Sequence, residues 1–364
     1  MRVLCIDVGT GTQDILLFDS EQELENCIQL ILPSPTRLVA EQVRRATARG
    51  RSVLLEGRTM GGGPCAWAVE EHIRKGLTAY ATPDAARTFD DELPKVERMG
   101  VRIVSEDEAA RLVGVERIAM HDLDLPSITA VLERFGVEPR FDAIAVAVFD
   151  HGNAPPGVSD RAFRFEYIAE VVRTNDLTAF AYLREAIPER LTRMRAVAAD
   201  APPEIPVLVM DTGPAAVVGA LEDLHLRQIP RALVANLGNF HTLAFHLAEG
   251  RVVGLFEHHT GLLSREKLEG YLDQLAAGTI SNEVVFADMG HGALVIEPVH
   301  ERPTFLGVTG PRRGLLTGSR YHPYLAVPHG HMMLAGCYGL LRALAAHRPD
   351  LAPAIEARLG PRAS

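Results

Sequence analysis

The chain reads as an α/β protein built from two duplicated domains with a cleft between them, and three observations predict it. A strand over residues 2–8 runs into the turn Gly9-Thr10-Gly11-Thr12 and returns as the apolar run Ile15-Leu16-Leu17-Phe18. A second hairpin of the same plan spans Arg231 to Leu247, and aligning Asp7-Val8-Gly9 with Asn236-Leu237-Gly238 also aligns the apolar runs on either side. Recurrence of a whole supersecondary unit marks internal duplication. Each half also ends in a small-residue segment, Asp211 to Leu221 and Pro328 to Leu341.

The first hairpin has the chemistry of a phosphate site. Gly9 and Gly11 let backbone N–H groups approach an anion, while Thr10, Thr12, Gln13 and Asp14 surround the turn with polar groups. Asp7, at the strand end, is placed to hold a hydrated cation facing the phosphates. A dinucleotide-binding turn would continue into a helix, and a Walker loop needs Gly-Lys-Ser or Gly-Lys-Thr before one; neither occurs. An ordinary tight hairpin is the competing reading. In the second copy Asn236, Gly238, Asn239, His241 and Thr242 hold the matching positions.

Between the hairpins the pattern predicts strands at 13–19, 27–32 and 52–56 and a helix over 36–49. Gly57-Arg58-Thr59-Met60-Gly61-Gly62-Gly63-Pro64 then leads into a helix from Cys65 to Lys75. Arg58 and the backbone of Gly61, Gly62 and Gly63 at a helix N-terminus suit an anionic substrate group, though three glycines also make a plain flexible loop. Residues 77–140 read as an insertion of short elements, with a charged helix over 89–99. The apolar run Phe141 to Phe149 predicts a buried central strand, and it stops at Asp150-His151-Gly152-Asn153. Open sheets place catalytic groups where such strands stop, so Asp150 and His151 are the first catalytic candidates and Asp211, after the strand at 205–210, the second. A helix cap or Asx turn is the alternative for Asp150. Arg161 to Glu166 reads as a surface helix edge or substrate rim. The domain boundaries expected are 1–224, 225–334 and a C-terminal helix over 335–364 packing back on the first domain.

Composition narrows the function classes. A net charge of −10 argues against a nucleic-acid groove or an anionic membrane as partner. No stretch approaches a membrane span, and Asp7 interrupts any signal-like apolar region, so a cytoplasmic location is expected. Cys5, Cys27, Cys65 and Cys337 are far apart and read as reduced. Eleven of the fourteen histidines lie beyond residue 220, which raises a metal hydrolase as a third class. No His-Glu-x-x-His occurs, and His241 and His246 would face opposite sides of a strand. The favoured reading is scattered loop and cleft histidines, with a site assembled from several loops left open.

The paired hairpins resemble the actin, sugar kinase and heat-shock chaperone superfamily, in which such turns open two ribonuclease H-like domains. The resemblance implies an actin-like ATPase fold, ATP and Mg as cofactors bridged by both hairpins, and a small-molecule substrate. It further implies a carboxylate near Asp150 as general base and an adenosine-side turn near Gly330 and Gly336. Asn236 stands where the superfamily often has aspartate, which keeps a nucleotide sensor without efficient turnover as the alternative to a phosphotransferase or ATPase. Over nearly its whole length the chain is also similar to an uncharacterised prokaryotic family sharing Met60-Gly61-Gly62-Gly63-Pro64, Asp150-His151-Gly152 and Asp211-Thr212-Gly213-Pro214. Some of its members are labelled pyruvate formate-lyase activating enzyme. That chemistry needs Cys-x-x-x-Cys-x-x-Cys to hold an iron–sulfur cluster, and the four cysteines do not supply it.

Overall fold

The computed structural model describes residues 1–360. Of the C-terminal segment expected over 335–364, the last four residues lie outside the described residues. Strands β1 (Arg2–Val8), β2 (Thr12–Asp19) and β3 (Ile28–Pro33) form an antiparallel meander. The Val, Ile and Leu content of β1 and β2 suits strands buried on both faces, and only Arg2 and Asp7 of β1 are partly exposed.

At Ser34 the chain leaves this sheet for an inserted α/β body. The helix Pro35–Ala48 starts on a proline at its first turn and buries Val39, Val43 and Ala46 at helical spacing. It is followed by β4 (Val53–Gly57), helix Pro64–Arg74, β5 (Ala79–Ala81), β6 (Arg102–Ile103) and β7 (Glu116–Met120). These four strands make a parallel sheet of order β6-β5-β4-β7 with its own core around Val43, Leu55, Val69 and Met120. The insertion is thus larger than 77–140. The strand expected at 52–56 heads the inserted sheet rather than extending the first one, because a short apolar run does not carry the identity of its partner.

The first sheet resumes with β8 (Ala143–Val148), β9 (Ala181–Leu183) and β10 (Val207–Asp211), in the order β3-β2-β1-β8-β10-β9. β8 runs parallel to β1, and β10 parallel to β8. The second half repeats the plan with β11 (Arg231–Leu237), β12 (His241–Ala248), β13 (Arg251–His259), β14 (Gly292–Val295), β15 (Phe305–Thr309) and β16 (Tyr324–Leu325). Its order is β14-β13-β12-β11-β15-β16, again a meander followed by parallel strands. Both halves therefore have the ribonuclease H-like arrangement.

Two helices lock the halves together. Helix Thr212–Ala220 follows the first sheet yet packs on β11, β12 and β15, and helix Ala335–His347 follows the second sheet yet packs on β1, β2 and β8. They cross where glycine is required: a Cβ on Gly219 would strike the Ala335 carbonyl, and one on Gly339 would strike that of Ala215. The apolar core consequently runs unbroken from Leu4 and Val146 through Val217 and Leu340 to Phe245. Among the described residues no helix is long and apolar enough to cross a membrane.

Candidate active site

A cavity of about 500 Å³ opens between the halves. Three walls bound it: the first hairpin, the second hairpin, and the carboxyl edge of the inserted parallel sheet, the edge at which open sheets bind ligands.

On the first wall, the Gly9 N–H donates to the Thr12 carbonyl at 2.9 Å to close the turn, and Asp7 and Asp14 are directly opposed across β1 and β2. Asp7, Gly9, Thr10, Thr12 and Asp14 line the cavity. Thr212 donates to Asp7 Oδ1 at 2.6 Å, and the backbone of Gly336 lies so close to the Asp7 carboxylate that a Cβ there would overlap it. Burial pushes Asp7 up to about 6, against the Thr212 hydrogen bond. Burial, then the neighbouring Asp7 charge, pushes Asp14 up to about 8, and its Oδ1 is buried with no hydrogen-bond partner. Gln13 turns away and donates to the Pro33 carbonyl at 3.1 Å.

The second wall repeats the turn, with the Gly238 N–H donating to the His241 carbonyl at 2.9 Å. Asn236, Gly238, Asn239 and His241 line the cavity, whereas Thr242 is buried against Thr260, their hydroxyls 2.9 Å apart. Asn239 abuts Gly11, so the two turns meet tip to tip. Beside them Trp67, half exposed on the helix Pro64–Arg74, packs on Phe240 with ring centroids 5.5 Å apart. Gly330 lies in the short turn Pro328–Gly330 outside the cavity lining, while Gly336 is part of it.

The polar groups after β8 and β10 are engaged differently from one another. Asp150 is buried and accepts from the Gly152 N–H at 2.8 Å and the Met194 N–H at 2.9 Å, which closes an Asx turn and satisfies a free N–H in the first turn of helix Thr192–Asp200. Asp211 is fully buried and paired with Arg164, at 2.6 Å and 3.1 Å. The same guanidinium pairs with Glu257 of β13 at 2.8 Å and 2.7 Å, donates to the Asp150 carbonyl at 2.8 Å, and covers the Phe149 ring at 3.5 Å. Arg164 is thus no surface edge but a fully buried cation joining the two domains. Its position inside a mixed-polarity helix, with charged residues on both sides in sequence, hides this from a pattern reading. His151 opens onto the cleft beside Phe149, whose ring stacks on His241 at 3.8 Å.

On the third wall Gly61, Gly62 and Gly63 line the cavity together with Arg87, Asp90, Asp91 and Lys95. Gly63 has φ +69 at the start of helix Pro64–Arg74, and a Cβ there would meet Phe240. Arg58 lies away from the cavity and pairs with Asp200 at 2.7 Å, tying the insertion to the first domain. Arg193 does the same from within: it pairs with Asp122 at 2.7 Å and donates to the Phe149 carbonyl at 2.6 Å. Asp91 is pushed up to about 6 by burial and by the charges of Asp150, Asp160 and Asp90.

Two ribonuclease H-like domains, with their hairpins facing across a cleft, define the chain as an actin-like ATPase fold. It belongs to the family described as "Putative pyruvate format-lyase activating enzyme (DUF1786)", whose family model matches residues 60–315. Cys5, Cys27, Cys65 and Cys337 are all buried, and no Cys-x-x-x-Cys-x-x-Cys occurs among them. No curated protein matches the chain. Among solved structures it is similar to a ROK hexokinase from Thermus thermophilus, with 14% identity, TM-score 0.31, and coverage of 96% of this chain and 100% of that one. Ethanolamine utilization protein EutJ from Carboxydothermus hydrogenoformans has 14% identity and TM-score 0.31, over 94% of this chain and 89% of that one. A ROK family transcriptional regulator, a homolog of the E. coli MLC protein, has 9% identity and TM-score 0.26 over 69% of this chain, which spans 37% of the regulator. Similarities this low bear on neither substrate nor reaction.

Proposed function

We propose that the chain is an ATP-dependent phosphotransferase acting on a small molecule. The observation that carries this reading is the pair of identically closed hairpin turns meeting at Gly11 and Asn239 over one cavity. Backbone N–H groups of both turns, with the Thr10 and Thr12 hydroxyls, are the phosphate donors. The cavity has the size of a small-molecule site and extends past the turns to the inserted sheet, which leaves room for an acceptor beside the nucleotide.

Asp7 and Asp14 suit Mg. They are opposed carboxylates, both raised by burial, and Asp14 keeps an unpartnered buried oxygen that a hard cation would satisfy. When bound, the ion neutralises charge on the transferring phosphoryl group. Thr212 fixes the Asp7 carboxylate through its hydroxyl, and closure of the three walls excludes water. The oxygens of Asp150 and Asp211 are already committed to Gly152, Met194 and Arg164, so these two residues act as positioning groups. Asp91 faces the same cavity with a pKa near 6 and is the carboxylate we assign to accept the proton of the acceptor hydroxyl. Arg87 and Gly61 to Gly63 form the acceptor side.

Thermal unfolding of the protein with millimolar ATP and Mg tests the cleft. A rise in Tm that needs both components is expected, and the absence of a shift with any nucleoside triphosphate overturns the reading. Nucleotide binding without any turnover in the wild type would instead identify a sensor.

A further inference from the structure

Fourteen histidines are scattered through the sequence, yet three that are distant in it converge at the floor of the cleft. His151 follows β8 in the first domain, His241 opens β12 on the second hairpin, and His291 immediately precedes β14. Each offers a ring nitrogen, and these nitrogens all lie within 4.8 Å of one another. The ring centroids of His241 and His291 are 5.1 Å apart, and each is 6.0 Å from that of His151. Around a tetrahedral ion, ligand nitrogens at ~2.0 Å from the metal stand ~3.3 Å from one another, so small ring rotations bring the three into range.

His291 supplies an independent sign of a ligand. It is fully buried, and neither of its ring nitrogens has a hydrogen-bond partner. A buried imidazole left in that state is a cost that native interiors avoid unless something else meets the nitrogen.

Charges of both signs surround the three rings, with Arg161 donating to the Gly290 carbonyl at 2.6 Å beside His291. The Arg164 charge is offset by both Asp211 and Glu257, which leaves that group net negative. Glu257 Oε2 lies 3.7 Å from His291 Nδ1, in the place of the carboxylate that commonly orients a metal-bound imidazole. His259, the cross-strand neighbour of His241, stands at the cavity edge with its ring 4.7 Å from that of His291.

We propose that His151, His241 and His291 bind one late first-row divalent ion, with Zn2+ the best match, and leave a fourth position open to the cleft. Three imidazoles without thiolates select this class over Mg and Ca, which prefer the oxygen donors found on the first hairpin. Because His151 belongs to one domain and the other two ligands to the second, the ion fastens the closed cleft. The site is independent of the nucleotide reading and is tested without nucleotide.

The test is titration of chelator-stripped protein with Zn2+ against a chromophoric chelator, paired with Co2+ substitution followed by visible absorption. One ion per chain is expected, with the intense d–d bands of a four-coordinate site for Co2+. His151→Ala and His291→Ala should each weaken Zn2+ binding by at least about tenfold, while His322→Ala, outside the cavity lining, should leave it unchanged. His151 opens onto the cleft, so its removal does not disturb the core. Wild-type protein that fails to bind Zn2+ stoichiometrically, or gives only six-coordinate Co2+ spectra, overturns the proposal without recourse to any variant. So does equal affinity in wild type, His151→Ala and His291→Ala.

Discussion

The two hairpins share a backbone and differ in chemistry. β1 and β11 are each seven residues long with the same alternation of buried and half-buried positions, as are the eight-residue β2 and β12, and both turns close on the same 2.9 Å hydrogen bond. In the first copy the opposed pair at the cavity is Asp7 and Asp14; in the second it is Asn236 and Leu243. The second copy places an aromatic residue and an imidazole, Phe240 and His241, where the first has Gly11 and Thr12. Duplication preserved the hydrogen-bonded frame, which strand pairing enforces. It left the side chains at the tips free to diverge, one copy toward hard oxygen donors and the other toward imidazole. A fold-level likeness therefore carries the cleft but not the ion chemistry within it.

The most severe way to break this comparison is to disconnect the halves. Arg164→Met should leave Asp211 and Glu257 buried and unpaired, lowering stability by about 3–5 kcal/mol in denaturant unfolding. A loss below 1 kcal/mol would show that the two domains do not depend on this cation.

Exchanging hairpin chemistry comes next. Asp7→Asn should lower single-turnover phosphoryl transfer by about 10²-fold or more, whereas Asn236→Asp should change it far less. Equal losses from the two would mean that the copies share the work.

The smallest effect is the response to pH, measured as unfolding free energy of metal-free protein. Asp14 is raised from 3.8 to about 8, so its contribution is full below its unfolded pKa and is lost as pH rises through about 8. His291 is lowered from 6.5 to about 2, so its contribution is full above 6.5 and is lost as pH falls toward 2. The first hairpin and the histidine cluster should thus weaken in opposite directions. Asp14→Asn should flatten the decline between about pH 4 and 8 and His291→Asn the one toward pH 2, each by at least about 1 kcal/mol. Profiles unaltered by either substitution would refute both assignments.

Local features were legible in the sequence, and convergent ones were not. The hairpins, the central strand after residue 141 and the two crossing helices each announce themselves within a dozen or so residues, through apolar runs and small-residue spacing. The start of the insertion did not, because β4 pairs with β7, far along the chain. Arg164 and Glu257 lie in elements of ordinary composition, and nothing local says that they meet. His291 had only a faint signal, a histidine between Gly290 and Gly292 in the histidine-rich half. Its partners His151 and His241 both stand out in the sequence as site candidates, but for separate roles and in separate domains. What brings them together is the folding of one sheet against the other.

Trp67, on the inserted domain, rests against Phe240 at the tip of the second hairpin. It is the sole tryptophan of the chain. The molecule therefore carries its own optical gauge: emission excited at the indole band reports the surroundings of this one residue, shifting to the blue when the walls close and shield the ring from water and to the red when they part.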